Sequence, residues 1–170
     1  MSMSHKAFAF DWNAFDDDLA PILLAALDAD DGAELAEFID QERERLTDPY
    51  NGDPLPADWR GLLEGGDVQE LADFALTRYY RVREEHGIGP AWLGLSEVLT
   101  DDQLRPLLGA PFGAGDRLLD PGRLGAYFQS PEMVRASLTA LAGVTAEEVR
   151  SFQELLAACT AAQLGVYVTF

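Results

Sequence analysis

Lys6 to Trp12 (KAFAFDW) places Phe8, Phe10 and Trp12 on one face at period two, the pattern of a strand. Asp16, Asp17 and Asp18 then open a helix to about Asp28, where early acids complement the helix dipole and Pro21 is tolerated near the start. A second helix runs from Asp30 or Asp31 to about Leu46, with Leu35, Phe38 and Ile39 at helical spacing. Thr47 to Asp58 (TDPYNGDPLPAD) has three prolines and an Asn51-Gly52 pair, so it reads as a loop with turn chemistry. Trp59 to Leu63 reads as a short helical turn stopped by Gly65-Gly66.

Asp67 with Glu70 predicts an N-cap for a helix from Val68 to about Glu85, whose apolar stripe is Val68, Leu71, Phe74, Ala75, Tyr79 and Val82. Ala91 to Leu99 and 101–108 read as short helices, the latter behind a Thr100–Gln103 capping box. Gly109 to Gly122 reads as loop. Ser130 and Pro131 start a helix to Leu141, and Thr145 with Glu148 opens a long one from Ala146 to Leu164. Val166 to Phe170 (VYVTF) is β-branched and aromatic, hence a strand. The two end strands are expected to pair in a small sheet packed by helices. The fold class is therefore α+β, predominantly helical. No linker, repeat or low-complexity stretch divides residues 1–170, a normal size for a single domain.

Charge changes this picture most. Thirty acids against twelve bases give a net charge of −18. Residues 1–64 carry 16 of the acids and only 4 of the bases. Such a field repels phosphate backbones, so nucleic acid is not an expected partner. It favours a basic protein, although net charge alone equally serves solubility. No run is long and apolar enough to span a bilayer, and the opening residues do not read as a signal peptide, so no membrane is expected and the cytoplasm is the default location. One cysteine, Cys159, allows no internal disulfide, which suits a reducing compartment. Eleven arginines to one lysine, with much Ala, Leu, Gly and Asp, is a composition of GC-rich bacterial genomes.

Chemical motifs fail one by one. Asp28, Asp30 and Gly32 look like a calcium loop, but the glycine falls where a ligand belongs and Ile39 stands where the closing glutamate should be. His5 and His86 have no partner at ligand spacing, and one cysteine makes a zinc site improbable, so no metal is expected. The glycines at 109, 113 and 115 lack the Lys-Ser/Thr of a phosphate loop, and no cofactor is implied. Gly94-Leu95-Ser96 lacks the second glycine of a nucleophile elbow. No catalytic residue is assigned.

The sequence names no function directly. Its first reading is an acidic interaction module for a basic protein, of an inhibitor or immunity type. The candidate binding residues are Asp28, Asp30, Asp31, Glu34 and Glu37, with the aromatic residues Tyr50, Trp59, Tyr80 and Trp92 near the long loop and central helix. Alternatives are a carboxylate-based hydrolase, and a small-molecule pocket lined by Trp59, Trp92 and Tyr80.

Residues 107–113 read LLGAPFG, 120–128 read DPGRLGAYF and 130–135 read SPEMVR, with a helix to Leu141, a long helix and a terminal strand after them. With the Met1-Ser-Met3 opening before an aromatic strand, residues 104–170 resemble the YfbM-like bacterial proteins, a domain of unknown function. The resemblance implies an α+β fold and a small cytosolic protein, and brings no catalytic residues with it.

Overall fold

The computed structural model describes residues 3–170, so the Met1-Ser2 part of the opening motif lies outside it. Strand β1 (His5–Phe10) is central. Helices α1 (Trp12–Asp18), α2 (Ala20–Ala29) and α3 (Ala33–Glu42) follow. After the loop come α4 (Val68–Leu76), strand β2 (His86–Gly89), α5 (Trp92–Val98) and α6 (Asp101–Leu108). A two-residue-per-strand hairpin, β3 (Gly113–Ala114) and β4 (Arg117–Leu118), precedes β5 (Ala126–Gln129), α7 (Pro131–Leu141), α8 (Arg150–Ala162) and β6 (Gly165–Thr169). The fold is α+β and mainly helical.

The expected pairing of the end strands is present: β1 and β6 are antiparallel, with Phe8 opposite Tyr167 and Phe10 opposite Gly165. They form the middle of a four-stranded antiparallel sheet ordered β2-β1-β6-β5. Alternation along the strands divides the side chains between two helical layers. Phe8, Phe10, Tyr167 and Phe128 pack with α1 to α4. Ala7, Val166 and Val168 pack with α5 to α8, in one cluster with Val134, Phe152, Leu155 and Leu156. Gly165 admits the close approach of β5, because a Cβ there would strike the Gln129 carbonyl and the Trp12 side chain.

Several expectations are corrected. Trp12 does not extend the strand. Asp11 accepts a hydrogen bond from the Ala14 N–H and starts α1 there. The single helix expected over 16–28 breaks at Leu19, where Pro21 sits in the first turn of α2. Asp67 caps α4 as expected, but Glu70 reaches past it to take N–H bonds from Glu64, Gly65 and Gly66. The Thr145–Glu148 box does not form, and α8 starts at Arg150 after a 3-10 turn.

The largest correction is α4, which stops at Leu76 and not near Glu85. The Thr77 hydroxyl donates to the Phe74 carbonyl and accepts the Thr47 N–H, tying the helix end to the loop. The chain then bends, and the neighbours Tyr79 and Tyr80 are both buried. Tyr79 packs on Phe10 and Phe15, and Tyr80 on Phe8 and Tyr167.

His5 ties the sheet edge to the α5–α8 layer. It is fully buried, and its Nε2 lies 2.7 Å from the Leu107 carbonyl while Nδ1 accepts the Ile88 N–H at 3.2 Å. Nε2 therefore carries the proton of a neutral ring, which stacks on Trp92 and meets the edges of Phe152 and Phe170. Gly87, at φ +133°, permits this approach, since any Cβ would press on the His5 carbonyl and ring. Burial pulls the imidazole below its ordinary value of 6.5, against the opposing effect of its backbone hydrogen bonds. A base with a lowered folded pKa gives stability that is complete above pH 6.5 and is lost as pH falls through the folded value. We expect His5→Ala to cost about 2–4 kcal/mol at neutral pH, from a lost ring and two orphaned backbone groups. Urea midpoints taken downward from neutral pH should show that difference shrinking.

Candidate functional site

The acids at the α2–α3 junction are on the surface. Asp28, Asp30, Asp31, Glu34 and Glu37 are all exposed, and none takes part in an ion pair among the described residues. Asp30 ends α2 in a left-handed conformation, and Asp31 accepts the Ala33 N–H at the start of α3, so both are fixed by the turn they make. Beside them α2 shows an exposed stripe of Pro21, Leu24, Ala25 and Asp28, at i, i+3, i+4 and i+7 on one helix face. Leu24 is 44% exposed, unusual for a leucine in mid-helix.

The aromatic candidates separate. Tyr50 is 71% exposed at the tip of the loop, where its N–H bonds the Asp48 carboxylate. Trp59, Tyr80 and Trp92 are buried, and they lie on opposite sides of the sheet: Trp59 and Tyr80 in the α1–α4 layer, Trp92 in the other. A pocket lined by these three rings is thus ruled out by packing. Trp59 instead donates its indole N–H to Asp40 at 2.9 Å. Arg60 grips the same carboxylate with both Nη atoms, at 2.9 and 2.7 Å, while its guanidinium covers the Trp59 ring. These bonds, Arg60 first, hold Asp40 below the usual carboxylate range.

The 47–58 loop is well ordered by its own bonds. Asp48 N–H meets the Asp53 carbonyl, Gly52 N–H the Asp48 carbonyl, and Asn51 Oδ1 takes the Asp53 N–H. Arg83 clamps it from outside, donating to the Asn51 carbonyl at 3.1 Å and to the Asp53 carboxylate.

Between this loop and the 77–84 segment lies a cleft of about 750 Å³, the largest of the cavities described here. Its walls carry Arg45, Arg78, Arg81 and Arg83 against the carboxylates Asp11 and Glu84. Four of the chain's twelve basic residues thus collect at one concavity of a molecule with net charge −18. Val82, Leu164 and Ala9 give it an apolar part. The cleft exists because α4 ends early, and the expectation of a helix through Glu85 hid it. A signal was present: Arg78-Tyr-Tyr-Arg81-Val-Arg83 puts three arginines in six residues of an acidic chain.

The paired-carboxylate chemistry finds no such concentration. Among carboxyls, only Asp73 is clearly pushed up, to about 6, first by burial and then by the charges of Asp48 and Glu70. It lines none of the five cavities. Burial also pushes the Cys159 thiol up, to about 11, the opposite of a reactive thiolate. No group of three or more His, Cys, Asp or Glu among the described residues is arranged to hold a metal ion. No helix among them is long and apolar enough to cross a membrane.

No family model matches the chain, and no curated protein or solved structure matches it either.

Asp73 is half-buried without a hydrogen-bond partner in the described structure, so its charge is a net cost at neutral pH. An acid with a raised folded pKa gives stability present below about 3.8 and lost as pH rises through about 6. Asp73→Asn is therefore expected to stabilise the fold by about 1–2 kcal/mol above pH 7, a figure reduced for partial access of water. Urea midpoints should converge for the two proteins near pH 4.

Proposed function

We propose that this chain is a protein-binding module whose α2–α3 hairpin docks on a basic protein, as an inhibitor or immunity-type partner does. The observation that carries the reading is the coupling of charge and apolar surface on α2. The Pro21-Leu24-Ala25 stripe runs into Asp28, and Asp30, Asp31, Glu34 and Glu37 follow in the next nine residues, exposed and without ion-pair partners. Apolar centre and charged rim is the usual anatomy of a protein interface. The matching partner surface has an apolar ridge bordered by Lys and Arg. Tyr50, the exposed ring of the loop, supplies a further contact of the type enriched at interfaces.

The two components act on different rate constants. The acids steer encounter, so they govern the association rate and its salt dependence. Leu24 is desolvated in the complex, so it governs dissociation. Partners captured from a bacterial lysate at low ionic strength are the material for the test. The triple variant Asp28→Lys, Glu34→Lys, Glu37→Lys should slow association about tenfold or more and flatten its salt dependence. Leu24→Asp should speed dissociation, and Glu154→Lys on α8, in the opposite layer, should change neither. Capture of no partner, or rates equal for the wild type and both hairpin variants, would refute docking by this face.

A further inference from the structure

We propose that the cleft between the 77–84 segment and the 45–52 stretch binds a small organic anion through its phosphate or carboxylate group. The site is distinct from the acidic hairpin and does not depend on the docking role. Its volume of about 750 Å³ falls within the roughly 300–1,000 Å³ typical of small-molecule sites. A bare oxyanion would leave most of it empty. The apolar wall of Val82 and Leu164 suits the carbon skeleton of an organic ligand.

Three of the arginines use only part of their guanidinium in ion pairs. Arg45 and Arg78 share one carboxylate, that of Glu42, and each spends a single nitrogen on it. Arg81 meets Glu84 with Nη1 only, in a pair whose arginine is 81% exposed. Pairs so exposed are easily displaced, because water screens them and side-chain entropy opposes them. The unused N–H groups form the planar forks that match the oxygens of a phosphate or carboxylate.

A second observation is independent of charge. Among the described residues two buried side-chain polar atoms lack any hydrogen-bond partner, Thr47 Oγ1 and Tyr79 Oη. Both belong to residues that line this cleft, and Tyr79 is only 4% exposed. Buried polar groups are nearly always satisfied, so two orphaned hydroxyls on residues of one wall set this cavity apart.

The net charge of −18 limits the class of ligand without excluding it. At physiological ionic strength fields fade over about 8 Å, so a compact anion inside the cleft senses the four arginines and the nearby carboxylates of Asp11, Glu84 and Glu42, and little of the remaining acids. A polyanion such as nucleic acid extends over the acidic surface and is repelled.

Isothermal titration at low ionic strength with AMP, citrate and inorganic pyrophosphate tests the proposal on the full chain. Saturable one-site binding of AMP or citrate, with a dissociation constant of about 1 mM or tighter, is expected. AMP alone would assign a phosphate ester, and citrate alone a carboxylate. The double variant Arg45→Gln, Arg81→Gln removes two exposed charges and should weaken binding at least about tenfold. Arg78→Lys keeps the charge but loses the two Nη atoms that Glu42 leaves unused, and should weaken it as well. Arg150→Gln, on α8, should bind like the wild type, and matching urea midpoints confirm that each variant is folded. No saturation by any of the three probes, affinity unchanged in both cleft variants, or binding of pyrophosphate only would overturn the proposal.

Discussion

Strands β1 and β6 are packed by helices on both faces, and this constraint organises the rest of the molecule. A sheet covered by helices on both sides must be apolar on both sides. Phe8, Phe10 and Tyr167 fill one face, and Ala7, Val166 and Val168 the other. The rings of β1 and β6, Phe8, Phe10 and Tyr167, fall on the α1–α4 side, where a chain of contacts runs through Phe10, Phe15, Phe128 and Tyr167. The small and branched residues fall on the opposite side, where α8 can approach closely. His5 is fully enclosed on that side, and it is tolerated because both ring nitrogens are bonded.

What the sequence disclosed follows from the range of the interactions involved. Local signals were readable: the Thr100–Gln103 box, the Asp67 and Ser130 caps, and the alternation of the two end strands all form as their residues require. The strands β2 and β5 were not readable. β2 is His-Gly-Ile-Gly, and only the His5 ring and the edge of β1 make it a strand. β5, Ala-Tyr-Phe-Gln, is too short for its alternation to stand out and is held by pairing with β6. The α4 helix was over-extended for the converse reason. Its local pattern continues through Tyr79 and Val82, but the Thr77–Thr47 link ties the chain to the loop where the helix stops.

The candidate surfaces divide along the same line. Exposure of acids at a helix junction could be expected from sequence, since such residues are seldom buried unpaired. The burial of Trp59, Tyr80 and Trp92 could not, because a ring at a loop edge and a ring in a core have the same local sequence. The arginine-lined cleft depends on where α4 stops, so it becomes visible only with the fold. The acidic hairpin and the arginine-lined cleft also give the surface two different electrostatic characters.

The register of Phe8 against Tyr167 has a consequence for how the molecule comes into being. The two central strands lie near opposite ends of the sequence, so the contact order of the fold is high despite its helical content. Closing so long a loop is entropically costly and slow. During synthesis α1 to α4 emerge with the aromatic face of β1 only partly covered, and the sheet cannot assemble around its own centre until β6 has left the ribosome. The interval before β6 arrives is therefore when the apolar rings of the domain are most open to aggregation.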